Sequence, residues 1–455
     1  MLFAALDYHY LQGSMLEPVL RRAALCAAAV LGAAVLCSCQ MRGAQMAQSP
    51  LLRFFERPVG LIVYIASDGN VRLVNQKGGS SRALTSDAGP SGDDQVAYAA
   101  PAWSPDGRQV AFTRMALDGS RTLVDASLYT AGRDGKGVTR ILSGTRLRPF
   151  YLYWSPDSRM VSMLSSVDGE ASLELGVAPA GSGGGYRALD HGAPFYWAWR
   201  SDSRAILVHA NAGQPGTGGE RLSVLSLDPQ VSHEPIKAAA GMYQAPSFSP
   251  DGRTVAWAST SETVSTLHLS APDGSKDRAV ATETGGLFLE MSKDGRRLAY
   301  LAAVRYQPVQ MGTLAIVDTA RSDRKQTLKE EPVIEFSWAP DGRTLAFVVP
   351  ETGDGIDRMF LHSDSVAYVR LMGCDAATGK TWTIARFPPS RGFFAVLPFF
   401  DQYQRSSTIW SPDSRFLAFT ALTADGGPGV FVSRADGNIT PRLIAAGDGA
   451  FWSPR

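Results

Sequence analysis

One short turn, written seven times, constrains this chain more than any other feature. Trp103-Ser-Pro-Asp-Gly-Arg108 is followed by Gln109-Val-Ala-Phe112, and the pattern returns at Trp154, Trp199, Phe248, Met291, Trp338 and Trp410. Successive copies lie 51, 45, 49, 43, 47 and 72 residues apart. All but the last step fall in the range of about 40 to 50 residues that a propeller blade occupies. Every complete copy keeps its acid, at Asp106, Asp157, Asp202, Asp251, Asp294, Asp341 and Asp413, with an Arg two places on. A shared geometry accounts for that better than a shared reaction.

The geometry is that of a hairpin turn. Pro sets φ for the first corner, Asp bonds to the amides just ahead, and Gly accepts the φ > 0 position that closes a short loop. Ser replaces Gly at Ser158, Ser203 and Ser414, at an expected cost of roughly 1 kcal/mol for a left-handed non-Gly residue. Ser201 and Lys293 replace the Pro, so the turn reads as one that tolerates decay. Alternation such as Val110/Phe112, Val255/Trp257 and Leu345/Phe347 then marks a half-buried strand. Second turns follow at Asp118-Gly119, Asp168-Gly169 and Asp273-Gly274, with two further β-rich stretches, as at 122–129 and 138–142. Four antiparallel strands per repeat, arranged radially, make an all-β propeller. No sustained 3.6-residue apolar period is visible beyond residue 39.

The Trp-Ser-Pro-Asp-Gly-Arg turn with its apolar strand resembles the WD-like repeat of TolB-type propellers, also found in propeller domains of prolyl-oligopeptidase relatives. The resemblance covers nearly all of residues 61–455. It implies a fold and little about function, because such propellers serve as binding proteins, assembly factors and enzyme accessory domains. TolB-type proteins carry an additional N-terminal α/β domain, for which residues 40–59 leave no room, so their role in envelope integrity is not implied. The last residues, Phe451-Trp452-Ser453-Pro454-Arg455, restart the motif 42 residues after Trp410. The N-terminus supplies what they lack: 60–66 matches the strand after the turn, and 71–75 and 82–85 match the outer two. The termini are therefore expected to share a blade and close a ring of eight. Seven is the alternative, if the weak copy at Met291 is not an independent blade.

Ahead of the propeller, Arg21 and Arg22 precede 14 uncharged residues, 23–36. That is short of the roughly 20 needed to span a membrane and right for a secretory signal; Met15 is an alternative start. Leu36-Cys-Ser-Cys39 resembles the bacterial lipoprotein processing box, which implies cleavage before Cys39 and lipid on its sulfur. The chain thus divides into 1–39 (signal peptide with lipoprotein box), 40–59 (linker) and 60–455 (propeller). The expectation is an exported, monomeric lipoprotein of the cell envelope, periplasmic or on the outer face of a bacterial membrane. Of four cysteines, only Cys374 then remains, a lone thiol expected to be buried and inert.

Composition narrows function by exclusion. Forty-four Lys plus Arg oppose 43 Asp plus Glu without a block of like charge, which argues against a nucleic-acid partner. No Gly-x-Ser-x-Gly elbow, His-Glu-x-x-His or paired Cys occurs, so no catalytic residue, metal or cofactor is assigned. The motif turns all share one rim, because an antiparallel meander fixes loop sides by parity. Long connections at 87–98, with Asp93 and Asp94, and at 211–220, 350–365 and 387–407 fall on the opposite rim, the candidate binding face. The last is rich in aromatics: Phe393, Phe394, Phe399, Phe400 and Tyr403, with Asp401, form either an exposed contact patch or a flap packed over the blade ends. Tyr151, Tyr153, Tyr196, Glu290 and Glu335, on innermost strands, are placed to line the channel mouth; core packing is the alternative for the tyrosines. The function read from these features is a non-catalytic, lipid-anchored propeller that binds a protein, peptide or glycan. A channel-centred hydrolase or lyase, or a small-ligand receptor, is the alternative.

Overall fold

The computed structural model describes residues 56–455 except 92–93, 145, 171, 182–184, 212–218, 229, 237–240, 242–243, 306–308, 331 and 352–366. They belong to one compact unit, Gln48–Arg455. Cys39 and the signal segment lie outside the described residues, as do Asp93 and most of the connections 211–220 and 350–365.

The repeat builds what its turns imply. Sequential strands form antiparallel four-stranded sheets, for example Leu147–Trp154, Met160–Val167, Leu173–Pro179 and Arg187–Gly192. The innermost strands Asp94–Trp103, Leu147–Trp154, Phe195–Trp199, Ser247–Phe248 and Glu335–Trp338 end on the motif aromatic, and Gly286–Met291 ends on Met291 in its place. In the sheet of Asp94–Trp103, a short fifth strand, Gly89–Ser91, is added at the inner edge from the 87–98 connection. Hydrophobic clusters draw on adjacent sheets, so the sheets pack face to face around an axis: Phe288 and Leu301 join Trp338, Phe347 and buried Cys374. Burial pushes the Cys374 thiol up to about 12.

The motif supplies the circumferential ties as well as the turns. Within a turn, Ser104 Oγ donates to Asp106 Oδ1 at 2.7 Å and Arg108 N–H donates to the same oxygen at 3.0 Å; the copies at Asp157, Asp251, Asp294 and Asp413 repeat both bonds. Between sheets, Trp154 Nε1 donates to Ala102 O at 3.0 Å and Trp338 Nε1 to Glu290 O at 3.0 Å. Trp103, Trp199 and Trp410 do the same to Phe451, Tyr153 and Ser337. In each case the acceptor is the residue just before the position that opens the neighbouring copy, Trp103, Met291, Trp452, Trp154 or Trp338. The Ser-for-Gly exchanges are not decay. Ser158, Ser203 and Ser414 hold φ of 62°, 61° and 59°, and each hydroxyl accepts the amide of the previous copy's Asp, Asp106, Asp157 or Asp341, at 3.0 to 3.1 Å. A second sheet-to-sheet bond offsets the left-handed strain.

Two expectations are corrected. The strands form seven sheets, not eight. The reason lies at the chain ends and not at Met291, whose copy has its own four strands from Gly286–Met291 onward. The 11-residue strand Arg442–Trp452 pairs through 442–446 with Pro428–Arg434, then through 447–452 with Ile62–Ala66. Two strand sets thereby share one six-stranded sheet, and the inner strand of the Trp410 copy is reduced to isolated bridges, Trp410 to Leu417 and Thr408 to Trp452.

The second correction concerns the aromatic insert, which is helical. Helix α1 (Arg391–Val396) and helix α2 (Phe400–Ser406) flank a 3₁₀ turn at Leu397–Phe399. Ser390 caps α1 by accepting Phe393 N–H, and Pro398 opens the 3₁₀ turn. Six and seven residues are too few to display a helical period or to hold a helix unaided, so packing must supply the stability.

Candidate functional site

The insert enters from the rim opposite the motif turns and fills the space the innermost strands enclose. Helix α2 touches Leu147–Trp154, Phe195–Trp199, Gly286–Met291 and Glu335–Trp338, which belong to four sheets. Its polar side chains bond to the wall. Gln402 accepts Trp197 N–H at 2.9 Å and donates to Trp197 O at 2.9 Å, while its own carbonyl accepts the Tyr151 hydroxyl at 2.8 Å. Asp401 accepts Ala245 N–H at 2.7 Å. The Arg405 guanidinium, buried at 4% side-chain exposure, pairs with Glu290 at 2.7 Å and donates to the carbonyls of Asp401, Ala245 and Pro246. Burial raises the Asp401 carboxyl to about 6, with the Ala245 amide and Arg405 opposing. Glu335 is pushed up to about 8 by burial; it faces a cavity of about 50 Å³ between the wall and Phe400, Tyr403 and Gln404.

The sequence candidates therefore scatter over three places. Phe393, Phe394 and Phe400 are buried: Phe393 meets Phe387 edge-on at 5.5 Å, and Phe400 packs on Phe288 and Phe336. Tyr151, Tyr196, Phe399 and Tyr403 come together in a cleft of about 330 Å³ on the rim opposite the motif turns, lined also by Phe150, Pro194, Phe195 and Trp197. Tyr151 meets Tyr403 edge-on at 4.8 Å, and burial raises the Tyr151 and Tyr196 phenols. Phe150 and Phe399 stand 45% and 47% exposed there. Tyr153, whose phenol burial lifts to about 12, lies at the other end of the channel. There a larger cavity of about 520 Å³ opens on the motif rim, walled by Trp-x-Pro segments and floored by residues 404–408. Of the two, the motif rim, and not the rim read as the binding face, carries the larger opening.

Sequence reasoning missed Gln402 and Arg405, which only a helical reading of the insert brings inward, and Lys293, whose signal was its departure from the repeat's own Pro. A cross-strand chain also escaped the motif scan: Ser259 Oγ lies 2.9 Å from His268 Nε2, His268 Nδ1 lies 3.1 Å from Asp277, and Trp257 stacks on the imidazole at 4.1 Å. It ties a hairpin to the loop before Arg278–Thr284. Among the described residues no three His, Cys, Asp or Glu side chains form a group suited to a metal ion.

Fold and site together define a β-propeller whose channel is filled by a helical insert, with a cleft on one rim and a cavity on the other. No protein-family model and no curated protein matches the sequence. Similar solved structures include TolB from Acinetobacter baumannii, at 16% identity and a TM-score of 0.36, over 60% of this chain and 64% of that one, less than two thirds of its length. An oligogalacturonate lyase in complex with manganese is similar at 16% identity over 86% and 98% of the two chains, with a TM-score of 0.48. The β-propeller domain of the Trilobed protease from Pyrococcus furiosus is similar at 12% identity over 78% and 99%, with a TM-score of 0.47.

Proposed function

We propose that this chain is a non-catalytic, exported and lipid-anchored propeller that holds a protein partner of the cell envelope by the rim opposite the Ser-Pro-Asp-Gly turns. The observation that carries the reading is the cleft beside the insert, where Phe150 and Phe399 remain 45% and 47% exposed. Large apolar side chains left in water at one concave spot mark a contact site. Its lining is tyrosine, phenylalanine, leucine, proline, alanine, tryptophan and one glutamine. That composition suits an apolar side chain of a partner better than a charged substrate.

Co-purification from detergent-solubilised envelopes tests it. Phe399→Asp, at an exposed position, removes the partner while the thermal midpoint stays near that of the wild type; if the same proteins co-purify, the rim is not the interface. For the anchor, a tagged fatty acid labels the wild type and not Cys39→Ser, and equal labelling ends that part of the reading.

A further inference from the structure

We propose that the motif-rim cavity is a second binding site, for a small organic anion: a carboxylate or sulfonate on an apolar body. It is independent of the partner cleft. The cavity holds about 520 Å³, within the range of roughly 300 to 1,000 Å³ typical of ligand sites. Its walls repeat: the copies at Trp103, Trp154, Trp338, Trp410 and Trp452 each contribute the aromatic and the Pro two places on. The indoles are at most 4% exposed, so they back the wall while the prolines face the cavity and supply apolar surface.

One copy breaks the pattern where it faces this space. Lys293 stands where those five place Pro, and it lines the cavity. Departures from a repeat's own rule concentrate at functional positions. No Asp or Glu is among the lining residues, whose cations besides Lys293 are Arg405 and Arg455. The Arg405 guanidinium in the floor is balanced by Glu290 at 2.7 Å, and Asp294, next to Lys293 in sequence, is bound by the Ser292 hydroxyl and Arg296 N–H. The Lys293 ammonium has no ion pair among the described residues. One further polar group of the lining lacks a partner: the buried Gln404 Nε2 makes no hydrogen bond. An ammonium and an amide N–H beside one apolar-walled space favour a ligand that brings acceptors and negative charge.

The probe is 8-anilinonaphthalene-1-sulfonate, an apolar ring system with one sulfonate, titrated into the full folded chain. The fluorescence rise saturates at one probe per chain. Lys293→Glu weakens binding at least tenfold, Lys293→Arg retains it, and Phe399→Asp, in the opposite cleft, leaves it unchanged. Benzoate displaces the probe and neutral benzamide does not. Unchanged binding in Lys293→Glu, loss of signal in Phe399→Asp alone, or equal displacement by benzamide would each overturn the proposal.

Discussion

At the residue scale, the motif serine shows how one hydroxyl reverses a backbone argument. Ser158 sits at φ 62° and receives Asp106 N–H at 3.1 Å. Ser158→Ala keeps the strain and leaves the amide unmatched, so it should lower stability by about 1 to 2 kcal/mol. Ser158→Gly relieves the strain as it loses the bond and should change stability by less than about 1 kcal/mol. Urea unfolding midpoints distinguish the two; equal losses would show that the hydroxyl contributes nothing. Glu335 makes the opposite case, a carboxyl with no compensating partner among the described residues. Burial raises it from the usual 4.5 to about 8, so the folded state holds this proton more tightly than the unfolded one. Its contribution is most favourable below about 4.5 and is lost as pH rises toward 8. Glu335→Gln should therefore match the wild type at pH 4 and exceed it by roughly 3 kcal/mol at pH 7. A difference that does not grow over that window would contradict the assignment.

At the element scale, the helical insert was the part least legible in the sequence. The turns were readable because Pro, Asp and Gly act locally, each through its own backbone preference. Residues 391–406 fold as they do because four sheets surround them, and no local pattern of six or seven residues announces that. Their aromatics read as an exposed patch or a flap; in the structure Phe393, Phe394 and Phe400 are interior and Phe399 alone of the four is exposed. Deleting 393–400 consequently does more than remove a contact surface. It takes Phe393, Phe394, Leu397 and Phe400 out of the core, and at about 1.5 to 3 kcal/mol per side chain it should lower stability by at least about 5 kcal/mol. Denaturant unfolding measures this, and an unchanged midpoint would mean the insert is not packed in the channel.

At the scale of the whole molecule, the repeat's indole and hydroxyl bonds tie sheet to sheet on one rim, while the insert bonds to several sheets from the other. The propeller and its blade spacing could be read from seven copies of one turn. The sharing of a sheet by both chain ends could be seen in the truncated copy at Trp452, but not that one strand would run through two strand sets. The five channel candidates lie on innermost strands and are divided by the channel's length: Tyr151 and Tyr196 open on one rim, Tyr153 on the other, and Glu290 pairs with Arg405. Linear sequence gives the strand but not the depth. The central claim concerns which rim meets the partner, and site-specific photocrosslinking in intact cells addresses it most directly. A photoreactive residue at Phe399 should give a discrete adduct with an envelope protein, and one at the exposed Arg108 of the motif rim should give none. Adducts from Arg108 without any from Phe399 would contradict the account.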